Sequence, residues 1–382
     1  MKIGFFARTL MITEKYWDKL QDKADCWWGV TQEPLHDALR DRNHTKIAFH
    51  YEKQIVDKNK KFGNQLVAMN PGESENRVAQ MIDPDLWITE SLNKLNYVPK
   101  KVPWIQIFHS IPIKKHFFYQ PVLEYDLMLL PGEYHKQELI QRLGLTANDK
   151  RLKVVGWPRI DDFFNNVFER EAIMSGLGLD INCKTLMYAP TWGWGYGNEA
   201  FFARWFGREV EIFERLCYEV KQMGLNFIVK LHSLSFYANN KEMINIANKH
   251  GVLWLTKETS GFQEDPNRLL WITDILISDL SGIIADFLVL DRPVIYIDPD
   301  DNLDVWNGAD MPKSFRVGHV VKTPDELING IDDSVSYPEK FKDKRQDLVS
   351  KLFYSPDGKA IDRAVEEILS FTSNKLSFCQ RL

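Results

Sequence analysis

A chain of 382 residues is longer than one hydrophobic core usually fills, so the length predicts two domains of roughly 150–200 residues each. Its 44% hydrophobic and 26% charged residues are typical of a globular protein, and the formal net charge of −5 gives no electrostatic reason to expect nucleic acid as a partner. The chain contains no run of about 18 apolar residues, so no membrane-spanning helix is predicted.

The first residues and the cysteines favour a reducing cytoplasm. Arg8 interrupts the first apolar run and no small-residue cleavage site follows it, so we interpret residues 3–7 as a strand and not as a signal peptide. The four cysteines are Cys26, Cys183, Cys217 and Cys379. Their wide spacing matches neither a disulfide framework nor a metal-binding motif.

The first 155 residues alternate short β-rich runs with helical stretches. Strands are predicted at residues 3–6, 26–30, 45–51, 65–69, 86–88, 104–108, 125–130 and 152–155. Helices are predicted at residues 33–40, 75–81 and 134–143. Strands that alternate with helices favour parallel pairing with right-handed crossovers, so this part of the chain is predicted to be one α/β domain.

A second α/β series follows a glycine-containing stretch near residues 170–182, so the predicted domains are 1–175 and 176–382. After a helical stretch at 161–174, strands are predicted at 185–189, 226–231, 252–255, 275–277, 294–297 and 318–321. Helices are predicted at 201–223, 239–250 and 283–290, and an amphipathic closing helix at 355–372. Doubly wound domains bind ligands beyond the C-terminal ends of their strands, so we expect the site in the cleft between the two domains.

The turn at residues 278–282 is a candidate anion site, because it follows an apolar strand and opens a helix. It consists of Ser278, Asp279, Leu280, Ser281 and Gly282. Small residues and free backbone N–H groups at a helix start favour a phosphate. At about 100° per residue, Asp286 shares a helix flank with Gly282 and is predicted to face that ligand. The alternative is that Ser281 is an ordinary N-cap and Asp286 a solvated carboxylate.

Three further strand ends carry candidate polar side chains. His109 follows the strand at residues 104–108, where it could act as a general base or, alternatively, as a structural residue hydrogen-bonded to a loop. Thr191 could donate to a phosphate oxygen, although a surface turn explains it equally well. Lys230 and His232 are two residues apart and therefore on the same side of a strand, where both could meet an anion.

These strand ends form four sequence blocks. They are residues 109–114 (HSIPIK), 188–193 (YAPTWG), 230–233 (KLHS) and 278–293 (SDLSGIIADFLVLDRP). In order and spacing they resemble the motifs H-G-T-P-L-K, Y-A-P-T-W-R, K-x-H-P and S/T-D-Y-S-S-x-x-x-D-F with a following L-x-R-P. Those motifs characterise the CDP-glycerol:poly(glycerophosphate) glycerophosphotransferase family, which contains the teichoic acid primases and polymerases. The similarity runs from about residue 104 to residue 298.

The resemblance implies an α/β fold of the GT-B type, in which two Rossmann-like domains face each other across a central cleft. It also implies transfer of glycerol phosphate, or a related polyol or sugar phosphate, from a CDP-linked donor to an acceptor hydroxyl. His109 would deprotonate the acceptor, His232 would position or neutralise the donor phosphates, and Asp286 would bind hydroxyls of the ribose or the polyol. The donor-binding candidates are Thr191, Lys230, Ser278, Asp279, Ser281, Gly282 and Asp286, and the acceptor-side candidates are Lys114 and Lys115. We expect no metal and no other cofactor.

The expected partners are a nucleotide-linked donor and a polyol-phosphate, glycan or lipid-linked acceptor in teichoic acid or capsule synthesis, with no nucleic acid. The resemblance also implies peripheral contact with the inner face of the cytoplasmic membrane, because acceptors in the family are often lipid-linked. Two alternatives stay open. One is a GT-B glycosyltransferase that uses a nucleotide sugar, and the other is a non-catalytic nucleotide-binding subunit of a surface-polysaccharide complex.

Overall fold

The chain folds into two compact units in a computed structural model that describes residues 1–7, 10–50, 56–62, 65–68, 72–91, 102–111, 120–191, 210–231, 241–255, 266–279, 281–298 and 313–379. The first unit comprises Met1–Asn59, Leu66–Asn165 and Ser350–Leu382, and the second comprises Lys60–Gln65 and Asn166–Val349. Within the described residues, no helix combines the length and the apolar content that crossing a membrane requires.

The described strands are numbered in chain order. They are β1 (Lys2–Phe6), β2 (Asp25–Val30), β3 (Ile47–Phe49), β4 (Val56–Phe62), β5 (Gln65–Ala68), β6 (Leu86–Thr89), β7 (Trp104–Gln106), β8 (Leu127–Leu130), β9 (Leu152–Val154), β10 (Thr185–Tyr188), β11 (Asn226–Lys230), β12 (Leu253–Leu255), β13 (Ile275–Ser278), β14 (Val294–Ile297) and β15 (His319–Val321).

The described α-helices follow the same convention. They are α1 (Thr13–Leu20), α2 (Glu33–Asp41), α3 (Gly72–Ile82), α4 (Glu133–Leu143), α5 (Asp161–Phe164), α6 (Arg170–Gly176), α7 (Val210–Gln222), α8 (Lys241–His250), α9 (Pro266–Ile272), α10 (Ile283–Leu288), α11 (Pro324–Ser336), α12 (Lys342–Leu352) and α13 (Ala360–Cys379). Short 3-10 helices lie at Gln120–Glu124, Pro158–Ile160 and Lys313–Phe315.

A seven-stranded parallel sheet, in the order β3-β2-β1-β6-β7-β8-β9, forms the centre of the first unit. Its strands are apolar on both faces, as expected for a parallel sheet that is covered by helices on both sides. Gly4 in β1 leaves room for the Trp87 ring of β6, because a Cβ atom at residue 4 would lie only 2.6 Å from that ring. The strand order reverses between β1 and β6, so the crevice at their carboxyl ends is a favoured place for a ligand.

The last helix, α13, belongs to the first unit. Its apolar residues Ile361, Ala364, Val365 and Ile368 join the same hydrophobic cluster as the side chains of β1, β2, α1 and α2. The carboxylate of Asp161 accepts the N–H groups of Ala360 and Ile361 at 3.2 and 2.8 Å, which satisfies donors at the start of the helix.

This division of the chain differs from the predicted domains in its boundary and in the assignment of the closing helix. The predicted helix at 355–372 is present, at Ala360–Cys379, but the prediction placed it in the second domain. Helical periodicity identifies the buried face of a helix and not the sheet against which that face packs, so the sequence pattern alone favoured the neighbour in the chain.

A six-stranded parallel sheet, in the order β12-β11-β10-β13-β14-β15, forms the centre of the second unit. Because all its strands are parallel, their carboxyl ends lie along one edge of the sheet. The chain moves from β10 to β11 on one side and returns on the other side of β10 with β13. The strand order therefore reverses between β10 and β13, as at the ligand-binding edge of other doubly wound sheets.

Three predicted elements differ from the structure. The strand predicted at 65–69 pairs with β4 in a separate two-stranded sheet, and β4 itself is not predicted because its sequence, VDKNKKF, has no alternating apolar face. The helical stretch predicted at 161–174 is divided into α5 and α6. The helix predicted at 201–223 is observed at Val210–Gln222, and residues 201–209 lie outside the described part of the chain.

Candidate active site

The carboxyl ends of β10 and β13 are joined by hydrogen bonds at the reversal of the second sheet. The N–H of Ala189 donates to the carbonyl of Ile277 at 2.9 Å, and the Ser278 hydroxyl donates to the carbonyl of Ala189 at 2.7 Å. Two residues after Ala189 and one residue after Ser278, the N–H of Thr191 donates to the Asp279 carboxylate at 2.8 Å. Three of the predicted donor-side residues, Thr191, Ser278 and Asp279, are thus brought together.

Ser278 and Asp279 are buried, with 0% and 1% of their surfaces exposed, whereas Thr191 is half-buried. Tyr188 is also buried, and its pKa is raised well above the usual value by burial first and by the charge of Asp279 second. The phenol therefore stays neutral. Ser278 and Asp279 therefore form the buried base of the turn, where hydrogen bonds join them to the end of β10.

Ser281 and Gly282 are both half-buried at the start of α10. Gly282 occupies the N-cap position and no side chain caps the helix, while the carbonyl of Ser281 accepts the N–H of Ile284 at 3.2 Å. The N-cap position of α10 is thus assigned to Gly282, one residue after Ser281. α10 has only 6 residues, so its aligned dipoles contribute less than a long helix would. Leu280 lies outside the described residues.

Asp286 lies on α10 and is 2% exposed. The alternative interpretation of Asp286 as a solvated carboxylate is therefore wrong. The residue also interacts with another part of the protein. A carboxylate that is removed from water in this way is costly unless hydrogen bonds or charges compensate it.

Lys230 is the last residue of β11 and reaches the same edge of the second sheet. Val229 pairs with Tyr188, so Lys230 stands one residue beyond the end of β10. The side chain of Lys230 is half-buried. His232, predicted to share a side of the strand with Lys230, lies outside the described residues.

His109 lies in the first unit, three residues after the end of β7. Its ring is half-buried, and its Nδ1 atom lies 3.4 Å from the carbonyl oxygen of Glu90. A carbonyl oxygen can only accept, so a hydrogen bond at this contact needs a proton on Nδ1. Lys114 and Lys115, the predicted acceptor-side residues, lie outside the described residues.

Several buried polar residues around His109 are missing from the sequence-based prediction. Glu90, which follows β6, is 1% exposed, and the Thr13 hydroxyl lies 3.4 Å from its carboxylate. Gln106, the last residue of β7, donates from its amide to the carbonyl of Ser91 and accepts the N–H of Phe108. The pattern that identifies His109 in the sequence is a polar residue at the end of a strand. Glu90 and Gln106 show the same pattern, so it could have identified them as well.

Arg292, the arginine of the L-x-R-P block, lies away from this edge. It donates to the carbonyls of Trp271, in the last turn of α9, and Thr273, between α9 and β13, at 2.7 and 2.6 Å. Burial lowers the pKa of its guanidinium, and the neighbouring charge of Asp274 opposes that shift. Arg292 therefore stabilises the amino end of β13 and does not belong to the candidate site.

Among the described residues, no group of three or more histidine, cysteine or acidic side chains could hold a metal ion. Asp298 is buried after β14, where its N–H donates to the carbonyl of Val321 at 2.8 Å. Asp300 and Asp301 lie outside the described residues. The expectation that no metal or cofactor is needed stays a prediction.

Two parallel α/β units with polar residues at the carboxyl ends of their strands define a protein of the GT-B fold. The structure of the wall teichoic acid polymerase TagF matches with a TM-score of 0.69 and 18% identity, over 98% of this chain and 90% of TagF as solved, which establishes that the fold is shared. The family model of the CDP-glycerol:poly(glycerophosphate) glycerophosphotransferases matches residues 31–370. The chain belongs to this family.

Two curated relatives differ in the polymer that their names specify. The teichoic acid ribitol-phosphate polymerase TarL of Staphylococcus aureus is 27% identical over 228 residues, which are 58% of this chain and 37% of TarL. A teichoic acid poly(glycerol phosphate) polymerase of Bacillus spizizenii is 25% identical over 321 residues, which are 74% of each chain. This chain therefore spans little more than a third of TarL.

Proposed function

We propose that the protein transfers glycerol phosphate, or a related polyol phosphate, from a CDP-linked donor to an acceptor hydroxyl in the synthesis of a bacterial cell-surface polymer. The observation that carries the proposal is the family match over residues 31–370, which includes all four sequence blocks. The arrangement of Thr191, Ser278 and Asp279 at the reversal of the second sheet supports it, because such an edge is where doubly wound sheets bind nucleotides.

In the proposed reaction, Nε2 of His109 takes the proton of the acceptor hydroxyl. The acceptor oxygen then forms a bond to the phosphorus that carries the polyol, and the bond between that phosphorus and the bridging oxygen breaks. CMP leaves with that oxygen and with the bonding electron pair. Phosphoryl transfer depends mainly on positioning and on charge stabilisation, so His109 needs a fixed ring orientation more than a special reactivity.

The donor is proposed to bind at the carboxyl edge of the second sheet. Ser281 and Gly282 provide half-buried backbone and hydroxyl groups for the pyrophosphate, and Lys230 provides a positive charge at the end of β11. His232 is proposed to position or neutralise the same phosphates. Asp286 is proposed to bind hydroxyls of the ribose or the polyol, and Thr191 to contact a phosphate oxygen.

The acceptor side and the location follow from the same family resemblance. We propose a polyol-phosphate, glycan or lipid-linked acceptor that meets Lys114 and Lys115. A lipid-linked acceptor would bring the protein to the inner face of the cytoplasmic membrane. We also propose that the transfer needs no metal ion.

A donor screen tests this proposal. The protein is incubated with CDP-glycerol, CDP-ribitol or UDP-N-acetylglucosamine and a glycerol-phosphate-primed lipid acceptor, and the released nucleotide is measured. Release of CMP together with a gain of phosphorus by the acceptor is expected for one or both CDP-linked donors. Release of UDP without added phosphorus would indicate a glycosyltransferase. Nucleotide binding without turnover, for every donor, would indicate a non-catalytic subunit.

A further inference from the structure

The residue before His109 has an unfavourable backbone conformation. Phe108 has a φ angle of +53°, in the left-handed region that a bulky side chain rarely adopts. Its side chain is buried, so the conformation is held by packing as well as by the backbone. A strained backbone of this kind persists only where its surroundings determine it, and here it sets the direction in which His109 leaves β7.

Gln106 supplies the hydrogen bonds that hold this conformation. Its side-chain oxygen accepts the N–H of Phe108 at 2.7 Å, and its side-chain nitrogen donates to the carbonyl of Ser91. Gln106 is 0% exposed, so water cannot replace either bond. One buried amide thus connects the turn before His109 to the segment that follows β6.

The same segment after β6 contacts the ring of His109. The carbonyl of Glu90, one residue before Ser91, is the group that lies 3.4 Å from Nδ1 of His109. The hydrogen bonds of Gln106 therefore act on both sides of His109. One holds the turn that precedes His109, and the other holds the segment whose Glu90 carbonyl contacts the His109 ring.

We propose that Gln106 is the positioning residue of the transfer reaction, because it holds the left-handed turn at Phe108 and keeps Nδ1 of His109 beside the Glu90 carbonyl, which favours the tautomer protonated on Nδ1. The inference rests on the proposed function in one respect, since it takes His109 to be the base. Gln106 itself touches no reacting atom in this account, and its effect passes through the turn and the ring of His109.

The test compares two variants that lose a hydrogen bond to the same carbonyl. Gln106→Met keeps the length of the side chain and loses the bonds to both Ser91 and Phe108. Tyr125→Phe is the matched control, because the Tyr125 hydroxyl also donates to the carbonyl of Ser91, at 2.6 Å, from a buried side chain. The control removes a buried hydrogen bond at the same carbonyl and leaves Phe108 and Gln106 bonded to each other.

We expect kcat of Gln106→Met to fall roughly 10- to 100-fold with the KM for the CDP-linked donor unchanged, because a misplaced base slows the chemical step and leaves the donor site intact. Tyr125→Phe should stay within about twofold of the parent. Equal losses of kcat in the two variants, or a change confined to KM, would overturn the proposal.

A second measurement does not depend on activity. Nitrogen-15 NMR of histidine-labelled protein, with the His109 signals assigned through His109→Gln, should show the proton on Nδ1 in the parent and in Tyr125→Phe. In Gln106→Met it should show a mixture of the two tautomers. A proton on Nε2 in the parent would overturn the inference even if Gln106→Met does not fold. A parent that shows the expected tautomer but transfers nothing would instead contradict the proposed function.

Discussion

His109 is the residue on which the proposed transfer depends most. Its position three residues beyond β7 and the left-handed conformation of Phe108 set where its backbone leaves the strand, and its Nδ1 atom lies 3.4 Å from the Glu90 carbonyl. When an imidazole donates from Nδ1 and is otherwise unprotonated, Nε2 is the nitrogen that can accept a proton. The structural role considered for this histidine from sequence alone is compatible with the proposed catalytic role, because a ring held by a hydrogen bond to the loop can still act as the proposed base.

Replacement of His109 by glutamine should lower kcat by about 100- to 10,000-fold, which is the usual contribution of a general base. Binding of the donor should persist, because the donor-side candidates belong to the second unit. Thermal-shift titration with the CDP-linked donor measures binding, and released CMP measures turnover. His36→Gln, a half-buried histidine of α2 outside the candidate site, is the matched control. Unchanged turnover in His109→Gln would contradict the assignment of the base.

Sequence patterns could identify His109, Thr191 and Asp279, because a polar residue shortly after an apolar strand can be recognised from the sequence alone. They could not identify Gln106 as a partner of His109. Gln106 ends the short strand W-I-Q, and its two hydrogen bonds reach Phe108 and Ser91. The bond to Ser91 exists only because β6 pairs with β7, and that pairing is a long-range feature of the sheet. The same limit applies to Asp286, whose burial depends on the packing of α10 and not on its periodicity.

At the scale of elements, α4 shows that a helix can be predicted correctly while the burial of one of its titratable side chains, His135, is not predicted. Its observed bounds, Glu133–Leu143, lie within one residue of the prediction, but His135 proves to be buried. Burial lowers the pKa of His135 to about 3 from the usual 6.5. The pattern H-K-Q-E-L around it has few apolar residues, so the sequence does not indicate that this histidine faces the core.

This burial predicts a dependence of stability on pH. In the unfolded chain His135 binds a proton below about pH 6.5, whereas in the folded protein it does so only below about pH 3. Stability is therefore complete above pH 6.5 and is lost as the pH falls toward 3. The loss attributable to His135 between pH 7.5 and pH 5 should be about 2 kcal/mol.

Urea unfolding of the first unit at these two pH values measures the effect. His135→Leu should remove this part of the loss, because leucine binds no proton, whereas the control His36→Leu should retain it. An unchanged difference between pH 7.5 and pH 5 in His135→Leu would show that the acid sensitivity arises elsewhere.

At the scale of the whole molecule, the chain ends in the unit in which it begins. The last helix packs against the first sheet, although residues 166–349 of the second unit separate the two in sequence. The sequence correctly indicated two parallel α/β units and an amphipathic last helix. It could not indicate that Ile361 and Ile368 complete the core around Ile3 and Trp28, because that contact joins the two ends of the chain.

Ile368→Ala should therefore destabilise the first unit by about 2–5 kcal/mol, the usual cost of a cavity left by a buried isoleucine. Ile331→Ala is the matched control, because Ile331 is equally buried but lies on α11 in the second unit. Hydrogen exchange should show lost protection in the peptides of β1 and β2 for Ile368→Ala, and in those of β14 and β15 for Ile331→Ala. Loss confined to the second unit in Ile368→Ala would contradict the assignment of α13.

The central claim is that a phosphorus–oxygen bond of the donor breaks and that its outer phosphate moves with the polyol. The most direct measurement uses CDP-glycerol labelled with phosphorus-32 in the phosphate that carries glycerol, and follows the label after incubation with protein and acceptor. The account predicts that the label enters the acceptor and that unlabelled CMP is released. Label that stays with the nucleotide, as CDP, while glycerol alone reaches the acceptor would contradict it.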